Sequence, residues 1–184
     1  MNQAISIQLK YRKLHPDVSD FSFASEESAC FDLRAYFAKN ATSIDGFNAD
    51  SQKISNQVIT QLGGAGSANN RAVVVNPGER MMISTGVVFD IPVGYSVRVH
   101  ARSGLALKAG LVMANAEGII DSDYTEETKI LVLNISNIPI RINHGDRIAQ
   151  AEMVPVLSYD LVSTTEDINQ KTSRAGGFGS TGIS

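Results

Sequence analysis

The stretch AVVVNPGERMMISTGVVFDIPVGYSVRVHA, residues 72–101, decides the fold class. It divides into short apolar runs parted by turn residues. AVVV (72–75) is almost wholly β-branched, and NPGE (76–79) is a turn by its Pro and Gly. RMMISTGVVFDI (80–91) reads as one or two strands and PVG (92–94) as another turn. YSVRVHA (95–101) alternates polar and apolar residues, the period of a half-buried strand. Further along, KILVLNIS (129–136), PIRIN (139–143) and RIAQAEMVPVL (147–157) continue the pattern, with HGD (144–146) as a turn. Toward the N-terminus, ISIQLKY (5–11) alternates in the same way, and ACFDLRAY (29–36) is short and mixed. One segment reads as a helix of note: RSGLALKAG (102–110), with Ser103 as a natural N-cap and Gly110 as a terminator. Many short strands and one short helix imply an all-β sandwich or barrel.

Residues 39–72 differ in character. They are rich in Asn, Ser, Gln and Gly, and only KISNQVITQL (53–62) carries spaced apolar residues, enough for a short helix or a hairpin. The stretch reads as a polar surface insertion. The domain organisation expected is therefore a β domain over 1–165, interrupted at 39–72, and a flexible C-terminal arm over 166–184.

The chain has 184 residues, 43% of them hydrophobic and 19% charged, which suits one domain with a sizeable core. No apolar run approaches the roughly 18 residues needed to span a bilayer. MNQAISIQLK does not read as a signal peptide, because its basic residue follows its apolar ones. The one cysteine, Cys30, excludes an internal disulfide and fits a reducing compartment. A net charge of −3 argues against a general nucleic-acid binder. A polyphosphate ligand would have to be held by local arginines and a metal ion.

The candidate chemistry lies in HARSGLALKAGLVMANAEGIIDSDY (100–124). A helix opening after Arg102 presents backbone N–H groups, a hydroxyl and a guanidinium at one point, a combination suited to phosphate. LVMANAEGII (111–120) suits a hairpin whose backbone reads a flat polar ring. Asp121, Asp123 and Tyr124 then place two carboxylates and an aromatic at the end of an apolar segment. Each feature alone also reads as ordinary structure: a capped helix, a solvated turn. The tail RAGGFGSTGIS (174–184) sets one Phe among four glycines and several hydroxyls. Such a tail is often plain disorder, yet its glycines also allow a backbone to wrap a ligand closely.

Five segments, CFDLRA, RSGLA, EGIIDSDY, GDRIAQ and RAGGFGSTG, resemble in order and spacing the motifs of the homotrimeric dUTP pyrophosphatases (dUTPases). The resemblance covers nearly the whole chain except 39–72. It implies a jelly-roll-like β-sandwich of the β-clip kind, assembled as a homotrimer with active sites at subunit interfaces. It implies hydrolysis of dUTP to dUMP and pyrophosphate with Mg2+, which keeps uracil out of DNA and supplies dUMP for thymidylate synthesis. By the resemblance, Asp121 orients and activates the attacking water, Tyr124 lies under the deoxyribose, and Asn115, Gly118 and Ile120 belong to the hairpin that reads uracil. Arg102, Ser103 and Gly104 bind phosphate, with the Ser103 hydroxyl near the α–β bridge. Gln150 helps position water and phosphate, and Asp32 holds Mg2+ through coordinated water. Arg174, Phe178, Gly179, Ser180 and Thr181 form the closing arm. The setting implied is the cytoplasm, or a host cell's cytoplasm for a viral protein.

The chain departs from the family pattern in places. Cys30 stands where a small or apolar residue is usual, YTEE (124–127) replaces a glycine turn, and Arg174 precedes Phe178 by four positions rather than five. Two other readings are open from sequence. A dCTP deaminase shares the fold, but its third motif would read IDPG, where IDSDY stands here. A nucleotide-sensing module would use 39–72 as a surface for an unknown protein partner.

Overall fold

The computed structural model describes residues 7–60 and 71–173. In chain order these form β1 (Lys10–Lys13), β2 (Phe31–Arg34), β3 (Ser43–Phe47), β4 (Lys53–Gln57), β5 (Ile59–Thr60), β6 (Arg71–Val75), β7 (Arg80–Ser84), β8 (Val87–Asp90) and β9 (Tyr95–Ala101). There follow α1 (Ser103–Ala109), β10 (Leu111–Met113), β11 (Glu117–Ile120), β12 (Lys129–Asn134), β13 (Ile140–Asn143) and β14 (Arg147–Pro155). The expected strand at 5–11 begins only at Lys10. The one expected at 147–157 ends at Pro155, which has no N–H to continue a ladder.

The strands form a five-stranded sheet, β10-β12-β7-β3-β4, and a four-stranded sheet, β11-β9-β14-β2. Smaller sheets β13-β6-β5 and β1-β8 complete the wall. The apolar positions read in the sequence are the ones buried. Leu33, Val97, Val99, Ala149 and Ala151 of the four-stranded sheet share one core with Met81, Ile83, Ile130 and Val132 of the five-stranded sheet. Burying each such aliphatic side chain contributes about 1.5–3 kcal/mol, so the alternation is the main source of stability. RMMISTGVVFDI resolves into two strands because Gly86 turns the chain at φ +74°, and a Cβ there would come within 2.6 Å of Val18.

Several polar groups inside this core are satisfied, while Arg71 Nη1, Ser96 Oγ and Thr128 Oγ1 are buried without a hydrogen-bond partner among the described residues. Asn134 is fully buried, and its Nδ2 donates to Val75 O (2.9 Å) and Ile138 O (2.8 Å). Its Oδ1 accepts from the Ser136 N–H (2.9 Å) and hydroxyl (2.7 Å). His144 accepts a hydrogen bond at Nδ1 from the Phe37 N–H (3.1 Å), with Nη2 of buried Arg71 3.5 Å from the same atom. Burial, and then the Arg71 charge, lower the His144 pKa below its ordinary 6.5. Nearby, Tyr36 donates to Asp17 Oδ1 (2.9 Å), and burial followed by that bond pushes its hydroxyl up to about 12.

The stretch expected as a surface insertion is part of the sheet. β3 and β4 form a hairpin, and β3 pairs with β7 at Gly46↔Met81 and Phe47↔Arg80. A Cβ on Gly46 would collide with the Arg80 carbonyl and the Met81 sulfur, so glycine permits this approach. Arg71 and Ala72, placed in the insertion from sequence, are buried residues of β6. Of the expected 53–62 helix or hairpin, Lys53–Gln57 is the second arm of this hairpin, while 61–70 lies outside the described residues. The hairpin also serves the core chemically. Asn56 Nδ2 donates to Val74 O (2.8 Å) and to Oε2 of Glu79 (2.7 Å), a buried carboxylate that also accepts from the Asn76 N–H (2.7 Å).

Asn56→Leu should therefore cost about 1–3 kcal/mol, because it strips a donor from a buried carboxylate. Urea unfolding at fixed protein concentration measures this, and an unchanged midpoint would show the hairpin to be a mere appendage. A second outcome concerns pH. The native form holds His144 neutral, so its contribution is complete above about 6.5 and declines as pH falls from there toward its lowered native value. The melting temperature should drop between pH 7 and 5.5, and His144→Gln should flatten that drop. Equal slopes in the two proteins would remove His144 from the account.

Candidate active site

Two groups of side chains gather the residues singled out by sequence. The first lies where β2, β14 and β9 meet. The ladders pair Gln150 with Asp32 on one side and with His100 on the other. Arg102 follows directly after β9, and Arg147 opens β14. Asp32 is held at both oxygens: Oδ1 lies 3.0 Å from Arg102 Nε and Oδ2 lies 3.1 Å from Arg147 Nη1. Arg102 Nη1 also donates to Arg147 O (3.1 Å), and Gln150 Nε2 donates to Ala101 O (3.3 Å). One carboxylate between two guanidiniums leaves one positive charge, a setting suited to an anion.

Arg147 was not singled out in the sequence, although it stands inside GDRIAQ. Only the fold shows that it and Arg102 share one carboxylate. Ser103 also takes a different place from the one expected. The N-cap is Arg102, extended at φ −87° and ψ 123° with no side-chain cap bond, and Ser103 is the first helical residue. Its hydroxyl is therefore not spent on a capping bond, and Ser103 and Gly104 are both exposed at the helix start. Gly110 ends the helix in the left-handed conformation at φ +72°, as its type predicts.

The second group surrounds a cavity of about 410 Å3. Asn115, Gly118, Ile120, Asp121, Asp123 and Tyr124 line it with Val99, Met113 and Leu131. The expected hairpin differs in pairing. β10 pairs with β12 and β11 pairs with β9, so the turn at 114–116 bridges two sheets. Ala116 makes that turn at φ +59°, and the Glu117 N–H bonds to Asn115 O (2.6 Å). Gly118 forms the floor, where a Cβ would lie 3.2 Å from Val99 and 3.4 Å from Met113. The volume and a lining shared about evenly between apolar and polar side chains, Thr128 and Lys129 among the latter, suit a small ligand with a flat polar ring.

The residues after Ile120 make a tight turn closed by the Tyr124 N–H to Asp121 O (3.1 Å). The YTEE departure has a physical account here. Glu127 Oε1 accepts from the Gly86 N–H (2.8 Å), and the Tyr124 hydroxyl donates to Glu127 O (3.2 Å). A carboxylate clamp thus replaces the glycine turn and sets the tyrosine ring at the cavity mouth. Burial, and then the Glu152 charge, raise the Cys30 pKa above the ordinary thiol value. Arg174, Phe178, Gly179, Ser180 and Thr181 lie outside the described residues.

Within one chain the two groups adjoin at Gly118, which pairs with Val99 three residues before Arg102, and part toward Asp121. Ile120, next to Asp121, pairs with Val97, five residues before Arg102 along β9. That is about 16 Å of strand. Past Pro155 the chain runs without helix or strand to 173, and it exposes Leu157, Tyr159, Leu161, Val162 and Ile168. The irregular C-terminal segment thus starts about ten residues earlier than the Glu166 boundary expected from sequence.

Comparison with known proteins adds the following. A family model described as dUTPase matches residues 68–182. The chain is 47% identical over 112 residues to the deoxyuridine 5'-triphosphate nucleotidohydrolase of Bdellovibrio bacteriovorus, covering 60% of this chain and 73% of that one. It is 46% identical over 110 residues to the enzyme of the same name from Nautilia profundicola, covering 60% and 77%. Among solved structures, the Staphylococcus bacteriophage 80alpha dUTPase with dUPNHPP superposes with a TM-score of 0.69 at 22% identity, over 97% of this chain and all of that one. A mutant dUTPase from phage phi11 of S. aureus, whose structure describes the coordination of a structural Mg(II) ion, gives 0.62 at 20% identity, over 89% and 100%. These structures share the β-rich, jelly-roll-like fold.

The chemistry around Asp32 bears on Mg2+. Each carboxylate oxygen has one guanidinium contact and lone pairs to spare. That suits a hydrogen bond from a metal-bound water and leaves direct ligation unfavourable, in keeping with an ion that retains much of its hydration.

Proposed function

The chain belongs to the dUTPase family and by that membership is a dUTP diphosphatase; on that premise we propose that it hydrolyses dUTP to dUMP and pyrophosphate with Mg2+ at sites shared between chains of a homotrimer. The observation that carries this reading is the cavity that brings Asn115, Gly118, Ile120, Asp121 and Tyr124 together. Uracil enters between Asn115 and the floor at Gly118, where backbone groups answer its polar edge. The deoxyribose lies against Tyr124, whose ring leaves no room for a 2′-hydroxyl. Asp121, exposed at the rim, accepts a hydrogen bond from the attacking water and takes its proton as the P–O bond forms.

The phosphates belong to the first group. Arg102 and Arg147 draw the triphosphate, and Gln150 and the Ser103 hydroxyl position the reacting phosphate and the bridging oxygen on which charge develops. Asp32 would hold Mg2+ through water, and the ion when bound would supply charge neutralisation for the triphosphate. The arm residues Arg174, Phe178, Gly179, Ser180 and Thr181 close over base and phosphates and exclude bulk water. The product dUMP is a thymidylate precursor, and removing dUTP keeps uracil out of DNA. No helix among the described residues is long and apolar enough to cross a membrane, which is compatible with work in the cytoplasm.

The homotrimer rests on geometry as well as on family. About 16 Å of strand parts Asp121 from Arg102 in one chain. Reacting groups must approach to about 3 Å, and in a trimer a neighbour's Asp121 supplies that approach. The exposed apolar side chains from Leu157 to Ile168 provide surface for such a neighbour.

Incubation with dUTP, dCTP and UTP in Mg2+ should yield dUMP and pyrophosphate from dUTP alone. Ammonia from dCTP would point to deamination, and inertness to a sensor. Asp121→Asn should lower turnover by about 10²–10⁴-fold with nucleotide binding kept; near-normal turnover would exclude Asp121 as the base. Co-assembly of Asp121→Asn with Gln150→Ala chains should restore activity at about a quarter of sites, because some interfaces then pair two intact halves. No recovery in verified mixed trimers would place the whole site within one chain.

A further inference from the structure

One cluster of reactive side chains is not used by the nucleotide site. Cys30, His100 and Glu152 each offer a ligand atom, and these atoms lie within 4.8 Å of one another. They stand two residues from Asp32, Arg102 and Gln150 respectively; His100 and Asp32 are the two ladder partners of Gln150, so the cluster shares a sheet face with the Asp32 ion group and adjoins it. All three are half-buried rather than waving in solvent.

The hydrogen bonding of His100 is unusual. Its Nε2 lies 3.3 Å from Glu152 Oε1, and its Nδ1 lies 3.6 Å from Glu117 Oε1. Glu117 is fixed in turn by Arg98, at 3.2 Å. A neutral imidazole has one N–H and can satisfy only one of two carboxylates. The other nitrogen is left with a lone pair facing a carboxylate, a place suited to a cation.

We propose that Cys30, His100 and Glu152 form a site for a divalent transition metal of the Zn2+ class, with Glu117 as the carboxylate that orients His100. Sulfur, imidazole nitrogen and carboxylate oxygen together suit Zn2+ and exclude Mg2+, which takes oxygen ligands. Tetrahedral Zn2+ with bonds near 2.0–2.1 Å spaces nitrogen and oxygen ligands by about 3.3 Å, the separation already present between His100 and Glu152. Small rotamer adjustments bring Cys30 Sγ to bonding distance. On binding, the thiol gives its proton to solvent, and thiolate plus carboxylate balance the ion's two charges. A carboxylate on the far nitrogen of a metal-bound histidine is the usual orienting partner, and Glu117 occupies that place. Three protein ligands leave a fourth position for water. The ion would tie Cys30, just before the start of β2, to β9 and β14 beside Asp32, Arg102 and Gln150. This holds whether or not the nucleotide reading does.

Co2+ is the probe. The full chain, freed of metal by a chelator and kept reduced with a phosphine, should take up one Co2+ per chain with visible bands of tetrahedral cobalt and a near-ultraviolet thiolate charge-transfer band. Zn2+ should displace the cobalt, and millimolar Mg2+ should not. Cys30→Ser should lose the thiolate band, and His100→Gln should lower affinity by at least 100-fold. Glu117→Gln should weaken binding by about 10–100-fold with the spectrum kept. Circular dichroism melts confirm that each variant is folded. Absence of the thiolate band in the wild-type chain, or unchanged binding by folded Cys30→Ser, would overturn the proposal.

Discussion

The register of β9 between its two neighbours is the constraint on which both the core and the site depend. Because side chains on a strand alternate, Val97 and Val99 face the core while Arg98 and His100 face away. β14 repeats the division, with Ala149 and Ala151 inward and Gln150 and Glu152 outward. β2 adds Leu33 and Phe31 inward and Asp32 outward. A slip of one residue would bury charges and expose the core at once. Seven paired positions between β9 and β14, from Ala149↔Ala101 to Pro155↔Tyr95, hold the register. Hydrophobic burial thereby fixes where the polar chemistry stands.

The ion group of Asp32, Arg102 and Arg147 is the local expression of that constraint. Partly exposed ion pairs add little to stability, on the order of 0–1 kcal/mol each. Their worth here is positional. Asp32 fixes the direction of two guanidiniums that would otherwise sample many rotamers, so they are ordered before any anion is bound.

The segment from 43 to 60 shows how a polar sequence is absorbed into a β fold. Its hairpin extends the five-stranded sheet beyond β7. In return, Asn56 serves the buried carboxylate of Glu79, a residue in the turn that also supports Asn134 through the Glu79 carbonyl (3.2 Å). Glu127 plays a comparable part at the other end of the sheet, bracing Gly86 with its carboxylate and Tyr124 with its carbonyl. In both places one acidic side chain ties a loop to the sheet by accepting backbone or amide N–H groups, which are strong bonds because the acceptor is charged.

The sequence by itself determined the fold class. Strand periodicity in 72–101 and 129–155, the turns at NPGE and PVG, and the single helix closed by Gly110 follow from local sterics and amphipathic pattern, which act over a few residues. It also named the residues gathered around the cavity, because IIDSDY and its neighbours are contiguous. The tertiary structure alone decided the rest. Arg147 joins Arg102 on Asp32 across 115 residues of chain, and the arms of the 111–120 turn part to different sheets. Polar residues 43–57 become sheet rather than surface loop because Gly46 permits contact with β7 and Glu79 needs a donor. Cys30, His100 and Glu152 meet only because three strands share one register. Local pattern is encoded in the spacing of residues along the chain. Which strand lies beside which depends on long-range burial, and one sequence read in isolation has no term for it.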